Sequence, residues 1–221
     1  MRVTIARLNK NGVLTSHSRG FYSASIKSLI VENELWNWRS GQQITTAWNN
    51  QYYAVACQSL GRSDRTSLKR REKALLLMGF APMEKDLYIR PTNLIFKPYQ
   101  VQSKLNTLGL EKNAKFFTIT DINVPHEQLI SELWQTTVIM QQYKEQKETL
   151  GEWMKNQHHL NQEQKLIESY LLSKRAVRII FFDPLLPDPY VTGQARESFV
   201  DMARRFERNG FGLWRDFYKY H

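Results

Sequence analysis

Strand-like and helix-like segments alternate through residues 51–120, and this alternation constrains the fold of the chain more than any other feature. The strand-like segments are rich in β-branched and aromatic residues, and the helix-like ones carry apolar residues at helical spacing. The pattern predicts strands at 51–59, 86–90 and 114–120, and helices at 63–79 and 98–108. A strand–helix–strand–helix–strand order of this length indicates a small ferredoxin-like domain of the βαββαβ type.

The remainder of the chain is predicted to be mainly helical. Residues 126–182 have helical periodicity almost throughout, with a polar break near residues 156–161. Three prolines make residues 183–193 irregular, a helix resumes at 194–208, and a short aromatic helix follows it. The predicted fold class is therefore α+β, with a helical C-terminal domain.

The first 23 residues are predicted to combine a basic helix with a hairpin. The sequence predicts a short helix from Arg2 to Lys10, ended by Gly12, and then a hairpin with its turn near residues 17–20. A basic helix followed by a basic hairpin is the order of the recognition helix and wing in a winged helix-turn-helix. The residues predicted to contact duplex DNA are Arg2, Thr4, Arg7 and Lys10 on the helix, with His17 and Arg19 at the hairpin tip.

The charge balance favours a polyanionic partner. The chain has 31 Lys and Arg residues against 21 Asp and Glu residues, a formal net charge of +10. The densest cationic run lies at residues 69–73, and it has two interpretations: a solvated helix face, or a seat for the phosphates of a nucleotide-bearing ligand or of DNA. A single cysteine, Cys57, excludes an internal disulfide and a zinc–thiolate cluster. Neither a signal peptide nor a membrane span is predicted, and we expect a cytoplasmic protein.

Signals for catalysis are weak, and we predict no catalytic residue, no metal site and no cofactor. The chain has no nucleotide-binding glycine loop, no nucleophile elbow and no zinc-protease motif. The first strand of the central domain ends in Gln58 and Ser59 rather than in a carboxylate, which removes the simplest position for metal-dependent phosphodiester cleavage.

Three separated segments carry the distinctive features of this chain. The first is the predicted basic helix and hairpin at residues 2–23. The second, residues 48–94, opens with Trp48, contains a basic helix that ends in Met78, Gly79 and Phe80, and closes with Pro91, Asn93 and Leu94. The third and most specific is RAVRIIFFDPLLP at residues 175–187. In this order they resemble the recognition helix and wing, the central domain and the C-terminal signature of the PaaX family, bacterial repressors of phenylacetate catabolism.

The resemblance implies a three-part protein that binds a palindromic operator in double-stranded DNA as a homodimer. It divides the chain into a recognition helix and wing at 1–23, a linker helix at 24–47, a ferredoxin-like domain at 48–122 and a helical domain at 123–221. The family normally has two or more helices before its recognition helix, whereas this chain begins inside that helix, so the expected winged helix is partial. The family also follows its Pro-rich motif with a Trp, where this chain has Tyr190.

The resemblance also implies release from DNA by an aryl-CoA thioester such as phenylacetyl-CoA. The cationic residues that we predict for this effector are Lys69, Arg70, Arg175 and Arg178. Two alternatives remain open: a metal-dependent nuclease built on the central domain, with Asp64 and Asp86 as its test residues, and a truncated protein that dimerises with a full-length regulator and disables it.

Overall fold

The computed structural model describes residues 14–18, 21–24 and 44–219, and the chain divides into two units at residue 43. In the first unit, strands β1 (Leu14–Ser18) and β2 (Phe21–Ala24) form an antiparallel hairpin. Leu14 lies opposite Ala24 and Ser18 opposite Phe21, so the predicted hairpin is confirmed. The helix predicted at residues 2–10 and residues 25–43 of the predicted linker helix fall outside the described residues. The ends of the linker prediction are wrong, because Ala24 belongs to β2 and residues 44–47 are not helical, with Thr45 bridged to Leu94.

The second unit begins with the predicted βαββαβ arrangement. Its elements are β3 (Tyr52–Ala56), α1 (Arg65–Leu77), β4 (Ala81–Glu84), β5 (Leu87–Pro91), α2 (Pro98–Leu108) and β6 (Lys115–Ile119). The sheet order is β4-β5-β3-β6 and every neighbouring pair is antiparallel. This is the ferredoxin-like topology.

Local chemistry explains why these elements begin and end where they do. The Asp64 carboxylate caps α1 by accepting a hydrogen bond from the Thr66 amide at 2.9 Å. Gly109 ends α2 with φ of 117°, a backbone conformation that glycine adopts without strain. The sequence did not predict strand β4, which is four residues long, contains Pro82 and lies at the edge of the sheet, where a missing amide hydrogen is tolerated.

Both faces of the sheet are covered. Tyr53 and Val55 of β3 pack with Leu75 of α1 and Leu105 of α2 in one apolar core. Tyr52 and Ala54 of β3 point to the second face and are also buried, and the helix that follows the sheet packs against β4. Burial on both faces explains why β3 is an almost uninterrupted apolar run.

The helical half of the unit contains α3 (His126–Trp134), α4 (Thr136–Asn156), a 3₁₀ turn (Gln157–His159), α5 (Gln162–Phe181) and α6 (Gly193–Lys219). The first long predicted helix is divided at Gln135, which has φ of 49°. The two C-terminal helices of the prediction are one continuous helix, α6. No helix of the described residues has the length and apolar character that crossing a membrane requires.

Helix α6 holds this half together because it packs against both α4 and α5. Tyr143 of α4 stacks on Phe199 of α6 with 5.5 Å between ring centroids, and Trp153 meets the edge of Phe206 at 5.1 Å. Phe199 and Phe206 are at most 1% exposed. This burial stabilises α6 despite its two interior glycines, each of which costs helix stability.

Candidate functional site

The hairpin of the first unit carries one of the predicted DNA-contacting residues, His17. Between Ser16 and Ser18 the pairing register shifts, so His17 lies at a β-bulge. Bulges bend a strand and change the direction of the residue that they contain. The other predicted DNA contacts lie outside the described residues: Arg2, Thr4, Arg7, Lys10 and Arg19.

The cationic run of residues 69–73 lies on α1, and its members have different environments. Lys69 and Lys73 are exposed, whereas Arg71 is buried, with 1% of its surface exposed. Arg71 binds both carboxylate oxygens of Glu111, with nitrogen–oxygen distances of 3.0 and 2.7 Å, and donates to the Gly61 carbonyl at 3.1 Å. Arg71 therefore has a structural role, whereas Lys69 and Lys73 face solvent.

Arg70 lies on the side of α1 that packs against α2. Its aliphatic part covers Gly109, where an added Cβ would come within 2.4 Å of the Arg70 Cγ. Its guanidinium donates to the Ser67 hydroxyl at 3.4 Å. Arg70 thus contributes packing at the end of α2 in addition to its charge.

Arg175 lies in a groove between α4 and α5 with a volume of about 320 Å³. Ile179 is its neighbour on α5, and the α4 side is lined by Gln142, Glu145, Gln146, Glu148, Thr149 and Glu152. Three carboxylates against one guanidinium make this groove acidic. An acidic lining suits a cation better than the phosphates of a CoA thioester.

The four residues predicted for the effector are not gathered in this groove. Its lining includes Arg175, but not Lys69, Arg70 or Arg178. Arg178 lies over the ring of Phe182, with 5.6 Å from the guanidinium carbon to the ring centroid. The assignment of these residues to an effector remains a prediction.

The Asp-Pro-Leu-Leu-Pro motif at residues 183–187 is a junction built around a buried carboxylate. The Asp183 side chain is 3% exposed. One of its oxygens accepts hydrogen bonds from the Tyr143 hydroxyl at 2.6 Å and from the Arg196 Nε at 3.0 Å, and the other accepts from the Leu185 amide at 2.8 Å. Burial raises the pKa of Tyr143, so its hydroxyl keeps the proton that it donates. The motif thereby connects α4 to α6.

The same motif also attaches the helical half to the sheet. The Asn93 amide group donates to the Leu185 carbonyl at 2.7 Å, and Arg90 donates to the Asn93 side chain at 3.2 Å. Arg90 also donates to the carbonyl oxygens of Met78 and Pro91. Burial lowers the pKa of Arg90 to about 9, although the nearby Tyr53 and Asp183 act to raise it. The guanidinium is therefore still charged at neutral pH. A charge enclosed in this way is stable only while its acceptors stay in place.

Gly79 allows close contact at this junction. It has φ of 73°, and an added Cβ would lie 2.6 Å from the Pro184 carbonyl oxygen. Its own carbonyl accepts a hydrogen bond from the Trp134 indole at 3.1 Å. Gly79 and the 183–187 motif both belong to the segments that carry the family resemblance. That they contact each other is shown only by the structure.

Four aromatic rings form a cluster where the second unit begins: Trp48, Tyr52, His126 and Tyr190. Trp48 meets the other three edge-on, at centroid distances of 5.3 to 5.8 Å. The Tyr52 hydroxyl lies 2.9 Å from the His126 Nδ1, and burial, followed by the proximity of Tyr190, raises the pKa of Tyr52. His126 is the first residue of α3, which confirms its predicted position at a helix start. These contacts connect β3, the start of α3 and the segment before α6.

The two carboxylates considered for nuclease chemistry have other partners. Asp64 caps α1 and accepts from the Ser67 hydroxyl at 2.6 Å. Asp86 pairs with Arg62. Within the part of the chain that the structure describes, no three His, Cys, Asp or Glu side chains form a group that could hold a metal ion.

Comparison with known proteins identifies a shared fold. No protein-family model matches the chain, and a search of curated proteins found no match. Among solved structures, the chain is similar to Rv0674, an uncharacterized protein from Mycobacterium tuberculosis, with a TM-score of 0.56. The alignment covers 96% of this chain and 83% of that chain at 18% sequence identity. At this identity the likeness concerns the fold alone.

Proposed function

We propose that this protein is a DNA-binding transcriptional repressor of the PaaX type. It controls genes of aromatic catabolism and leaves its operator when an aryl-CoA thioester such as phenylacetyl-CoA binds. The observation that carries the proposal is the antiparallel pairing of Leu14–Ser18 with Phe21–Ala24, directly after a basic segment. In winged-helix proteins the recognition helix enters the major groove, and the wing that follows it contacts the neighbouring backbone.

The second unit supports the proposal through the motif that carries the resemblance. A regulator of this kind needs a rigid body that positions two DNA-binding units at the half-site spacing of its operator. The contacts of Asp183 and Asn93 join the sheet to the helical half through buried hydrogen bonds rather than through a flexible linker. We infer that an effector acts on the arrangement of whole units and leaves this junction intact.

An affinity selection from random duplexes tests DNA binding and yields the operator sequence in the same experiment. The full chain is expected to enrich a palindromic sequence. The double variant Arg7→Ala/Lys10→Ala is expected to bind the selected duplex at least tenfold more weakly and with a smaller salt dependence. The control Lys155→Ala changes an exposed residue of α4 and is expected to bind as the unaltered chain does.

A mobility-shift titration tests the effector. Phenylacetyl-CoA is expected to release the selected duplex, whereas free CoA at the same concentration leaves the complex intact. If the selection enriches no sequence, the protein does not recognise a specific operator. If several aryl-CoA thioesters leave the complex intact, the proposed effector class is wrong. Metal-dependent cleavage of the duplex, abolished by Asp64→Asn or Asp86→Asn, would instead establish the nuclease alternative.

A further inference from the structure

The solvent-facing side of α1 carries a straight line of cations. Arg65, Lys69 and Lys73 are spaced four residues apart and are exposed, on the side of the helix opposite the buried Ala74. A rise of 1.5 Å per residue makes the line about 12 Å long. We call these three residues the α1 crest.

The contacts among the described residues give no structural reason for the α1 crest. Like charges four residues apart repel each other and destabilise a helix, and a cation at the first turn opposes the helix dipole. None of the three crest residues forms an ion pair with another described residue. Of the two acidic residues nearby, Asp64 is occupied as the cap of α1. Glu72 is exposed and lies one helical turn beyond Lys69, but it forms no ion pair with a crest residue.

We propose that the α1 crest binds the phosphate backbone of duplex DNA, as a second contact outside the winged helix. The proposal rests on the proposed function for its choice of duplex DNA as the polyanion. Successive phosphates of one strand advance by about 3.4 Å along the duplex axis and also turn around it, so a line of about 12 Å reaches about two to three of them. A small phosphorylated ligand needs charges that converge around it, whereas these three lie along a convex helix. Lys69 therefore contacts DNA rather than the effector.

Salt-dependent binding of the full chain to a labelled 25-base-pair duplex of arbitrary sequence tests the crest. The test variant is Arg65→Gln/Lys69→Gln/Lys73→Gln. The matched control is Lys144→Gln/Lys147→Gln/Lys155→Gln, which removes the same three charges from exposed positions of α4. Fluorescence anisotropy between 50 and 200 mM salt, about the range in which phosphate contacts are most visible, gives the affinity and its salt slope.

The crest variant is expected to bind at least tenfold more weakly than the control at 100 mM salt. The slope of log affinity against log salt concentration is expected to be smaller in magnitude by about 2 to 3. The reason is that each phosphate contact contributes about 0.9 to that slope. The control is expected to bind within about twofold of the unaltered chain. Urea denaturation is expected to show the crest variant at least as stable as the unaltered chain, since the substitutions remove a repulsion.

Equal losses in the two variants would overturn the proposal, because the effect would then be one of net charge alone. Unchanged binding by the crest variant would overturn it as well, as would failure of the unaltered chain to bind the duplex at 50 mM salt. Crest-dependent binding to vesicles of anionic lipid without a matching effect on DNA would assign the surface to a membrane instead. A chain that shows the crest effect on arbitrary duplexes but selects no operator would contradict the proposed function and leave this inference standing.

Discussion

Replacing Asp183 by Asn tests whether the buried carboxylate fixes the 183–187 motif, which joins α4 to α6 and, through the Leu185 carbonyl, the helical half to the sheet. Asn keeps the shape of Asp but removes the negative charge and replaces one acceptor oxygen by a donor. At least one of the three donors around the side chain then loses its acceptor, which costs about 1 to 3 kcal/mol. Arg196, whose side chain is 13% exposed, also loses its counter-ion.

The expected loss of unfolding free energy for Asp183→Asn is about 3 to 5 kcal/mol, the usual cost of removing one partner of a buried ion pair. In a protein of this size such a loss lowers Tm by roughly 6 to 20 °C. Urea denaturation followed by tryptophan fluorescence and by circular dichroism measures it. The control is Asp201→Asn, since Asp201 is 61% exposed in its pair with Arg204 and is expected to contribute about 0 to 1 kcal/mol.

A loss below about 1 kcal/mol for Asp183→Asn, or a loss equal to that of the control, would refute this reasoning. The junction would then depend on apolar packing alone. Separate unfolding transitions for the sheet and the helices in the variant, with one transition in the unaltered chain, would support the role of the carboxylate directly.

Three further expectations concern single residues of the second unit. Gly79→Ala is expected to destabilise by about 2 to 5 kcal/mol because the new Cβ strains a left-handed residue and meets a backbone carbonyl. Gly212→Ala, with open space around it, is expected to stabilise α6 by about 0.5 to 1 kcal/mol, and thermal denaturation compares the two. Hydrogen bonds from Arg71 hold the pKa of Glu111 below its ordinary 4.5, so this carboxylate stabilises the fold above that pH and loses its effect as the pH falls through the folded-state pKa. Glu111→Gln is therefore expected to cost about 2 to 4 kcal/mol at pH 7 and progressively less in acid, as measured by urea titrations from pH 7 to pH 3. Burial raises the pKa of Cys57 to about 11, so its thiol is expected to react with a disulfide reagent at pH 8 only as the protein unfolds.

Each of these three has an outcome that contradicts it. Equal effects of the two glycine substitutions would mean that the junction has room for a side chain. A Glu111→Gln penalty that stays constant down to pH 3 would exclude the ion pair as its cause. Reaction of Cys57 in the native protein at the rate of a free thiol would show that the core around it opens readily.

Local patterns were enough to predict the βαββαβ domain. The strand at residues 52–56 is apolar because both of its faces are covered. The start of α1 is marked in the sequence by its capping residue, Asp64. These signals lie within a few residues of the element that they specify. Strand β4 was missed because four residues containing Pro82 carry no alternation, and its place in the sheet depends on pairing with β5.

Local patterns did not predict where one long helix is interrupted or that another is continuous. Gln135 ends one helix and begins the next in a left-handed conformation, for which its sequence gives no signal. Conversely, α6 continues through Gly210 and Gly212 because Phe199 and Phe206 are buried against α4, which outweighs the low helix propensity of glycine.

The sequence by itself determined the α+β class, the order of most elements and the basic character of the chain, because periodicity, capping and net charge are properties of neighbouring residues. It also marked residues 183–187 as a distinctive motif. Only the tertiary structure decided that Asp183 meets Tyr143, 40 positions earlier in the chain, and Arg196, 13 positions later. It also decided that Arg71 is buried while Lys69 and Lys73 of the same run face solvent. The reason is physical: a charge is costly to bury unless partners from other elements surround it, and packing alone brings those partners together.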